Sequence, residues 1–178
     1  MKQSFKMAYG GILCGLSIVF MFLSSIFPFA EYAFPAIAGI CLIPVVIEFG
    51  YKNAILCYVV VGMLSALIVP NKESVVLFIV FLGYYPILKG KVETMKNRIL
   101  EWSIKILWFN LAVLFSYYVV IQILGMTQVL ADFEVAKYGI LLLLAVGNVV
   151  FIIYDIALTR LISMFLIQIR PKYIHKLK

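Results

Sequence analysis

The feature that most constrains this chain is a series of six apolar stretches, each about long enough to cross a lipid bilayer. They cover residues 5–29, 32–49, 53–69, 74–88, 103–124 and 138–158. A helix that spans the hydrocarbon core needs about 20 apolar residues, and about 17 is the lower limit. The stretch 74–88 is the shortest of the six. We therefore expect an all-α, polytopic membrane protein, with six transmembrane helices in a single integral membrane domain over residues 1–178.

The composition excludes the alternatives to a membrane protein. Hydrophobic residues make up 65% of the chain and charged residues 13%, whereas soluble domains have about 45–50% and about 25%. A water-soluble globule of 178 residues could not bury so much apolar surface. Disorder is excluded because disordered segments are poor in apolar residues.

The distribution of basic residues predicts the orientation in the cell membrane. With both termini in the cytoplasm, only Lys72 and Lys137 of the 15 lysines and arginines fall on the outer side. Such an excess on the cytoplasmic side sets the orientation of membrane proteins. The net charge of +7 then marks cytoplasmic segments rather than nucleic-acid binding. These segments are a connector at 90–102, expected as a short amphipathic helix, and a basic tail at 170–178. Residues 159–168 are expected to continue the last helix along the interface.

The sequence lacks the motifs that carry enzyme chemistry. There is no HExxH, GxSxG or GxxxxGK[ST] pattern, and the single histidine, His175, lies in the tail. Cys14, Cys41 and Cys57 stand in apolar stretches, where we interpret them as small buried hydrophobic residues. We therefore expect no enzymatic activity, no cofactor and no metal. The sequence contains no ATP-binding motif, so the energy for any transport would come from elsewhere.

Five ionisable residues share the depth of the cytoplasmic boundary in this topology. They are Glu48, Lys89, Lys105, Asp155 and Arg160. They either form an interfacial belt of lysines and ion pairs, or they provide a docking surface or a gating pair. Glu48 with Lys89 and Asp155 with Lys105 are the candidate pairs, and the sequence does not choose between them.

Small residues recur at four-residue spacing in two of the stretches. Ala8, Gly11 and Gly15 share a face of the first, and Gly62 and Ala66 share a face of the third. Such a face lets another helix approach closely in lipid. It serves either packing within this chain or the docking of a partner protein.

Polar and aromatic residues gather in the outer half of the predicted bundle. A binding cavity needs a few polar groups on an apolar wall, so these residues are candidates for binding a small solute. Alternatively, the tyrosines form an aromatic belt, and Asn148 hydrogen-bonds a neighbouring helix, as we expect for Asn110. The candidate solute-binding residues are Glu31, Tyr32, Asn71, Lys72, Glu73, Tyr117, Gln122 and Asn148.

The segment Gly11-Ile12-Leu13-Cys14-Gly15, together with the chain length and six predicted helices, resembles the S components of energy-coupling-factor transporters. That family carries a small-xxx-small face on its first helix, usually with alanines. The resemblance implies a substrate-binding subunit that captures a vitamin or other micronutrient from outside. It also implies a separate transmembrane coupling protein and ATPases as partners. The block from Phe81 to Lys89, FLGYYPILK, looks like the signature of a subgroup.

A second resemblance keeps another class of function open. In size and number of spans, the chain is similar to the rod-shape-determining membrane protein D, a scaffold of cell-wall synthesis that transports nothing. Under this alternative the small-residue faces and the cytoplasmic charges bind protein partners, and the outer loops bind no solute.

Overall fold

A computed structural model describes residues 3–93, 97–120 and 139–170, and every regular element in these ranges is helical. The all-α prediction is therefore confirmed for the described part of the chain. Helices suit apolar stretches in lipid because they satisfy their backbone hydrogen bonds internally. The α-helices are α1 Gln3–Ile26, α2 Ala33–Ile40, α3 Ile43–Phe49, α4 Tyr51–Ile68, α5 Lys72–Leu77, α6 Tyr85–Val92, α7 Arg98–Tyr118 and α8 Gly139–Met164.

Five helical segments are long and apolar enough to cross a membrane. They are Met7–Ile26, Tyr51–Ile68, Lys72–Val92, Arg98–Ser116 and Leu144–Gln168. A shorter apolar segment, Ala33–Phe49, accounts for the remaining predicted stretch. Their outer surfaces are apolar, and Leu67 and Ile153 are 80% and 63% exposed. Exposure on this scale would be unfavourable in water and suits contact with lipid.

Two of the predicted spans are interrupted helices. The stretch 32–49 forms α2 and α3, which are separated at Cys41 and Leu42. The stretch predicted at 74–88 is longer, from Lys72 to Val92, and consists of α5, a π-helical turn at Phe78–Leu82 and α6. Pro44 and Pro86 stand in the first turn of α3 and α6, where a missing backbone N–H costs little.

The two interruptions pack against each other. A Cβ atom added at Gly39 would lie 2.1 Å from the backbone carbonyl oxygen of Leu82, so only glycine allows this approach. Hydroxyl groups of neighbouring helices supply hydrogen bonds to the irregular backbone. Ser17 donates to a carbonyl of α2 at 2.9 Å, and Tyr58 donates to the Ile79 carbonyl of the π-helical turn at 2.5 Å. Such bonds make an interrupted helix tolerable inside a membrane.

The segments between the later helices differ from the prediction in one respect. Residues 90–92 end α6 and residues 98–102 begin α7, so the predicted separate helix at 90–102 is not formed. Asn97 starts α7, since its side chain accepts a hydrogen bond from the Ile99 N–H at 3.1 Å. The predicted helical conformation of residues 159–168 is confirmed, because α8 reaches Met164 and a π-helical turn follows to Ile169, while their predicted position along the interface stays a prediction. The predicted tail falls largely outside the described residues.

Candidate functional site

Hydrogen bonds link two of the predicted solute-binding residues, Glu31 and Asn71, to Ser25 and Ser74, and we call these four residues together with the adjacent Lys72 the loop cluster. The Asn71 amide donates to the Glu31 carboxylate at 2.5 Å, and the Asn71 backbone N–H donates to the Ser25 hydroxyl at 3.1 Å. The Ser74 hydroxyl donates to the Glu31 carbonyl, also at 3.1 Å. The network joins the end of α1, the loop before α2 and the start of α5.

The loop cluster also caps two helix ends. The Asn71 side-chain oxygen accepts from the Ser74 N–H at 3.1 Å and caps the N-terminus of α5. The Lys72 ammonium group donates to the carbonyls of Ala66 and Val69, each at 2.9 Å, at the C-terminus of α4. These carbonyls have no partner within their own helix, so a cation there is stabilising. The side chains of Asn71 and Lys72 therefore form hydrogen bonds with backbone groups of this chain.

Two of the predicted solute-binding residues at this end keep their polar groups available. Among the described residues, neither Tyr32 nor Glu73 has a side-chain hydrogen bond or ion pair. Tyr32 is 64% exposed, and Glu73 stands in the first turn of α5. Partial burial, together with the charges of Glu31 and Glu73, raises the pKa of the Tyr32 phenol above its usual range. Within the described residues, the Tyr32 hydroxyl and the Glu73 carboxylate are therefore unpaired.

The remaining predicted solute-binding residues lie on α7, on α8 or outside the description. Asn148 donates to the Asn110 side-chain oxygen at 2.9 Å and to the Leu144 carbonyl at 2.7 Å, and Asn110 donates back to Asn148 at 3.2 Å. The expected hydrogen bond between helices is thus confirmed. Tyr117 belongs to α7, but its side chain is outside the description, and so is Gln122.

A second polar network, which we call the Lys–Asp cluster, consists of Tyr85, Lys89, Glu93, Glu101, Lys105 and Asp155. Its centre is Asp155, and each of its two carboxylate oxygens forms a salt bridge with a different lysine. Lys89 reaches Oδ1 at 2.5 Å and Lys105 reaches Oδ2 at 3.1 Å. Lys89 is 0% exposed, and Lys105 and Asp155 are each 3% exposed. The expected pair of Asp155 with Lys105 is confirmed.

The other members of the Lys–Asp cluster provide further ion pairs and a hydrogen bond to the buried charges. Glu93 accepts from Lys89 at 2.6 Å and from Lys105 at 3.3 Å. Glu101 accepts from Lys105 at 2.7 Å. The Tyr85 hydroxyl donates to Asp155 Oδ1 at 2.5 Å. Burying charges is costly unless each is paired and hydrogen-bonded, and this network pairs them while joining α6, α7 and α8.

Sequence reasoning found only part of this cluster. Glu93 stands four residues after Lys89, and Glu101 stands four residues before Lys105, a spacing that places opposite charges on one helix face. That spacing could have identified both glutamates, whereas nothing in the sequence pointed to the Tyr85 hydroxyl. The alternative pair of Glu48 with Lys89 is wrong, because Glu48 accepts from Arg170 at 3.0 Å.

The FLGYYPILK block forms the contact between the interrupted helix and α7. A Cβ atom added at Gly83 would lie 2.8 Å from the Phe78 ring, so glycine lets this ring fold over the end of the π-helical turn. The Tyr84 hydroxyl accepts from the Trp108 indole N–H at 2.5 Å. Two further residues of the block belong to the Lys–Asp cluster. The block therefore holds helices together, and its polar groups are used within the chain.

The two small-residue faces have different environments. Ala8, Gly11 and Gly15 are exposed on α1, and a Cβ atom added at either glycine would meet nothing within 4 Å. Gly62 is buried, and a Cβ atom there would lie 3.4 Å from the Ile79 side chain. Ala66, its neighbour in the pattern, is exposed. Internal packing therefore accounts for Gly62, while the face of α1 is open in the described part of the chain.

Known proteins add no further constraint on this site. Comparisons with protein families, with curated proteins and with solved structures found no match to the chain. Among the described residues, no group of three or more His, Cys, Asp or Glu side chains could hold a metal ion. The features that bear on function are therefore the two clusters and the open α1 face.

Proposed function

We propose that the chain is the membrane-embedded, substrate-binding subunit of an uptake transporter for a vitamin or other micronutrient, of the energy-coupling-factor type. The observation that carries the proposal is the open face of α1 at Ala8, Gly11 and Gly15. A row of small residues that packs against nothing in the described part of the chain suits a helix of another protein. In this role the chain relies on a separate transmembrane coupling protein and on ATPases.

The proposed arrangement in the cell membrane has six crossings, with α2 and α3 together forming the second. Both termini are cytoplasmic, which places most basic residues and the Lys–Asp cluster on the inner side. The loop cluster then lies on the outer side. A cysteine introduced at Lys72, in a variant without native cysteines, should react with a membrane-impermeant thiol reagent from outside. A cysteine introduced at Arg98 should react only from inside, and the reverse pattern would contradict the topology.

The physical basis for partner docking is close backbone approach. Apolar side chains give no net hydrophobic gain between helices in lipid, so association depends on van der Waals packing. Glycines at positions 11 and 15 let a second helix come near the α1 backbone along one face. A leucine at either position would hold the two backbones apart.

A set of matched variants tests the docking face. Gly11→Leu and Gly15→Leu should abolish co-purification of the coupling protein, while the isolated chain keeps its folded yield in detergent. Gly62→Leu is the control, because its added side chain meets Ile79 and should lower the folded yield. If Gly11→Leu lowers the folded yield as much as Gly62→Leu does, then the α1 face serves internal packing and the proposal loses its main support.

The solute is proposed to bind beneath the outer loops, where Tyr32 and Glu73 offer polar groups and Phe29, 88% exposed, offers an apolar ring. A charge-assisted hydrogen bond is worth about 1.5–3 kcal/mol. Glu73→Gln should therefore weaken binding about tenfold or more. The measurement is mass spectrometry of small molecules retained by the purified protein, followed by uptake of the identified solute. Uptake that is unchanged in Glu73→Gln and Tyr32→Phe would contradict this site.

A non-transport scaffold, like the rod-shape-determining membrane protein D, is the second candidate. The observation that favours it is the internal use of Glu31, Asn71 and Lys72, which leaves few polar groups for a solute. The same experiments separate the two functions. A scaffold should retain no small molecule, and its α1 variants should lose a cell-wall synthesis protein rather than a coupling protein.

A further inference from the structure

The last helix exposes an arginine among apolar side chains. Arg160 of α8 is exposed, and large apolar residues one or two turns away share its face of the helix. These neighbours are Ile153, Ile156 and Met164, and all three are exposed. In a chain that spans a membrane, an exposed apolar face of this kind suits contact with lipid. Arg160 therefore interrupts a lipid-facing surface within the apolar segment Leu144–Gln168.

The charge of Arg160 has no counter-ion in the described part of the chain. Its guanidinium group forms no ion pair and no hydrogen bond with any described residue. The one acidic residue of α8 is Asp155, which is buried and paired with two lysines. Five positions separate Asp155 from Arg160, so the two side chains point about 140° apart around the helix. The neighbouring hydroxyls of Thr159 and Ser163 do not neutralise the charge, because both donate to backbone carbonyls of α8.

The length of the apolar segment places Arg160 within reach of lipid headgroups. Its 25 residues are about 38 Å long, whereas the hydrocarbon core is about 30 Å thick. If Leu144 marks one boundary of the core, the other boundary lies near Ser163, about three residues beyond Arg160. An arginine side chain at that depth extends its charged end to the interface. An unpaired charge left in the hydrocarbon would be costly.

We propose that Arg160 binds the phosphate group of an anionic phospholipid whose acyl chains lie along the apolar face of α8. The planar guanidinium group donates two parallel hydrogen bonds to a phosphate, which a compact ammonium group cannot do. The lipid thus supplies the counter-ion that the described chain lacks. Phosphatidylglycerol fits better than phosphatidylcholine, because the choline cation offsets the charge of its own phosphate. In the proposed topology this lipid belongs to the cytoplasmic leaflet, which is rich in anionic lipids, but its binding does not depend on the transport function.

The same face of α8 is poorly suited to a helix of another protein. Helices that pack closely in lipid do so through small residues, like those on the open face of α1. The residues around Arg160 are instead isoleucines and a methionine, whose side chains hold a second backbone away but pack readily against acyl chains. Arg170 provides an internal comparison, because it is also exposed but donates to the Glu48 carboxylate at 3.0 Å. Arg170 already has its counter-ion, so we expect no bound lipid there.

The test is native mass spectrometry of the delipidated protein in a mild detergent, titrated separately with dioleoylphosphatidylglycerol, dioleoylphosphatidylcholine and inorganic phosphate. Wild type should bind one phosphatidylglycerol about tenfold or more tightly than one phosphatidylcholine, and inorganic phosphate should not compete. Arg160→Gln should lose this preference, because it loses the charge-assisted pair. Arg160→Lys keeps the charge without the planar fork and should keep only part of the preference. Arg170→Gln is the matched control and should keep all of it.

Several results would overturn the proposal. Equal weakening in Arg160→Gln and Arg170→Gln would indicate a general effect of positive charge, and competition by inorganic phosphate would indicate a site for free phosphate. A lipid preference that is unchanged in Arg160→Gln would also overturn it, and loss of a co-purified protein from that variant would then assign Arg160 to a protein partner. Thermal unfolding of wild type is a second measurement that needs no variant. Phosphatidylglycerol should raise the unfolding midpoint more than phosphatidylcholine does, and equal midpoints would contradict the proposal.

Discussion

The loop cluster and the Lys–Asp cluster are both polar networks in an apolar bundle, but they satisfy their polar groups in different ways. In the Lys–Asp cluster, side chains bond to side chains, and each buried charge has an opposite charge within 3.3 Å. In the loop cluster, side chains bond mainly to backbone groups at the ends of α4 and α5. The Lys–Asp cluster joins three helices, whereas the loop cluster caps helix ends.

The difference has a consequence for both stability and function. A charge in the Lys–Asp cluster cannot lose its partner without remaining buried and unpaired, so its members depend on one another. Apart from the buried Ser74, the groups of the loop cluster are partly exposed at helix ends, so water can replace a lost partner. The loop cluster also leaves Tyr32 and Glu73 available. The proposed function places the solute at the loop cluster, and the Lys–Asp cluster is expected to stabilise the fold.

The largest effect is expected from Asp155→Asn, which removes the carboxylate shared by Lys89 and Lys105 without changing its shape. Two buried ammonium groups lose their central partner, and removing one member of a buried ion pair costs about 3–5 kcal/mol. The measurement is the thermal unfolding midpoint in detergent and the amount of folded protein in membranes. Glu48→Gln is the control, because its partner Arg170 is 43% exposed and the change should stay within about 1 kcal/mol. Equal losses in the two variants would remove the contrast between buried and exposed pairs.

A combined variant sharpens the same contrast. Lys89→Met, Lys105→Met and Asp155→Leu together replace the buried charges by apolar side chains of similar volume. Replacing a complete buried ion network in this way is often neutral or stabilising. We expect the triple variant to recover most of the stability that Asp155→Asn loses, as measured by the same thermal unfolding. A triple variant as unstable as Asp155→Asn would show that the charges themselves, and not their pairing, are needed.

A smaller loss is expected from Asn71→Ala in the loop cluster. This change removes the N-cap of α5 and the hydrogen bond to Glu31, and the loss of an N-cap costs about 0.5–2 kcal/mol. Asn71→Asp is the matched control, since it keeps the capping oxygen but places a second carboxylate beside Glu31. The thermal unfolding midpoint of Asn71→Ala should be well above that of Asp155→Asn. A loss as large as that of Asp155→Asn would refute the view that water can replace these partners.

The smallest effect concerns pH. Partial burial and two neighbouring carboxylates raise the pKa of Tyr32, so the folded state favours the neutral phenol. The stability that this group contributes is present below its unfolded pKa of about 10 and is lost as the pH rises through the higher folded value. Wild type should therefore lose slightly more stability than Tyr32→Phe above about pH 10. Unfolding midpoints measured on both sides of that pH test this, and parallel curves would contradict it.

The sequence predicted the helical class and the approximate positions of the apolar stretches because hydrophobic length is a local property. It failed at the connector 90–102, where helical residues at both ends belong to α6 and α7. It also did not predict the interruption at Gly83 and Tyr84, because the close approach of Gly39 to Leu82 depends on two segments far apart in the chain. The same limit applied to the candidate site, where Lys72 proved to cap α4.

The sequence by itself determined that this chain forms apolar helices suited to a membrane, since so much apolar surface has no stable alternative. It also determined which residues could carry charge or allow close packing. The tertiary structure alone decided which of them meet: Asp155 with two lysines, Asn71 with Glu31, and Gly62 with Ile79, while Gly11 meets no other part of the described chain. The reason is physical, because partner choice depends on distances across helices that local patterns do not encode.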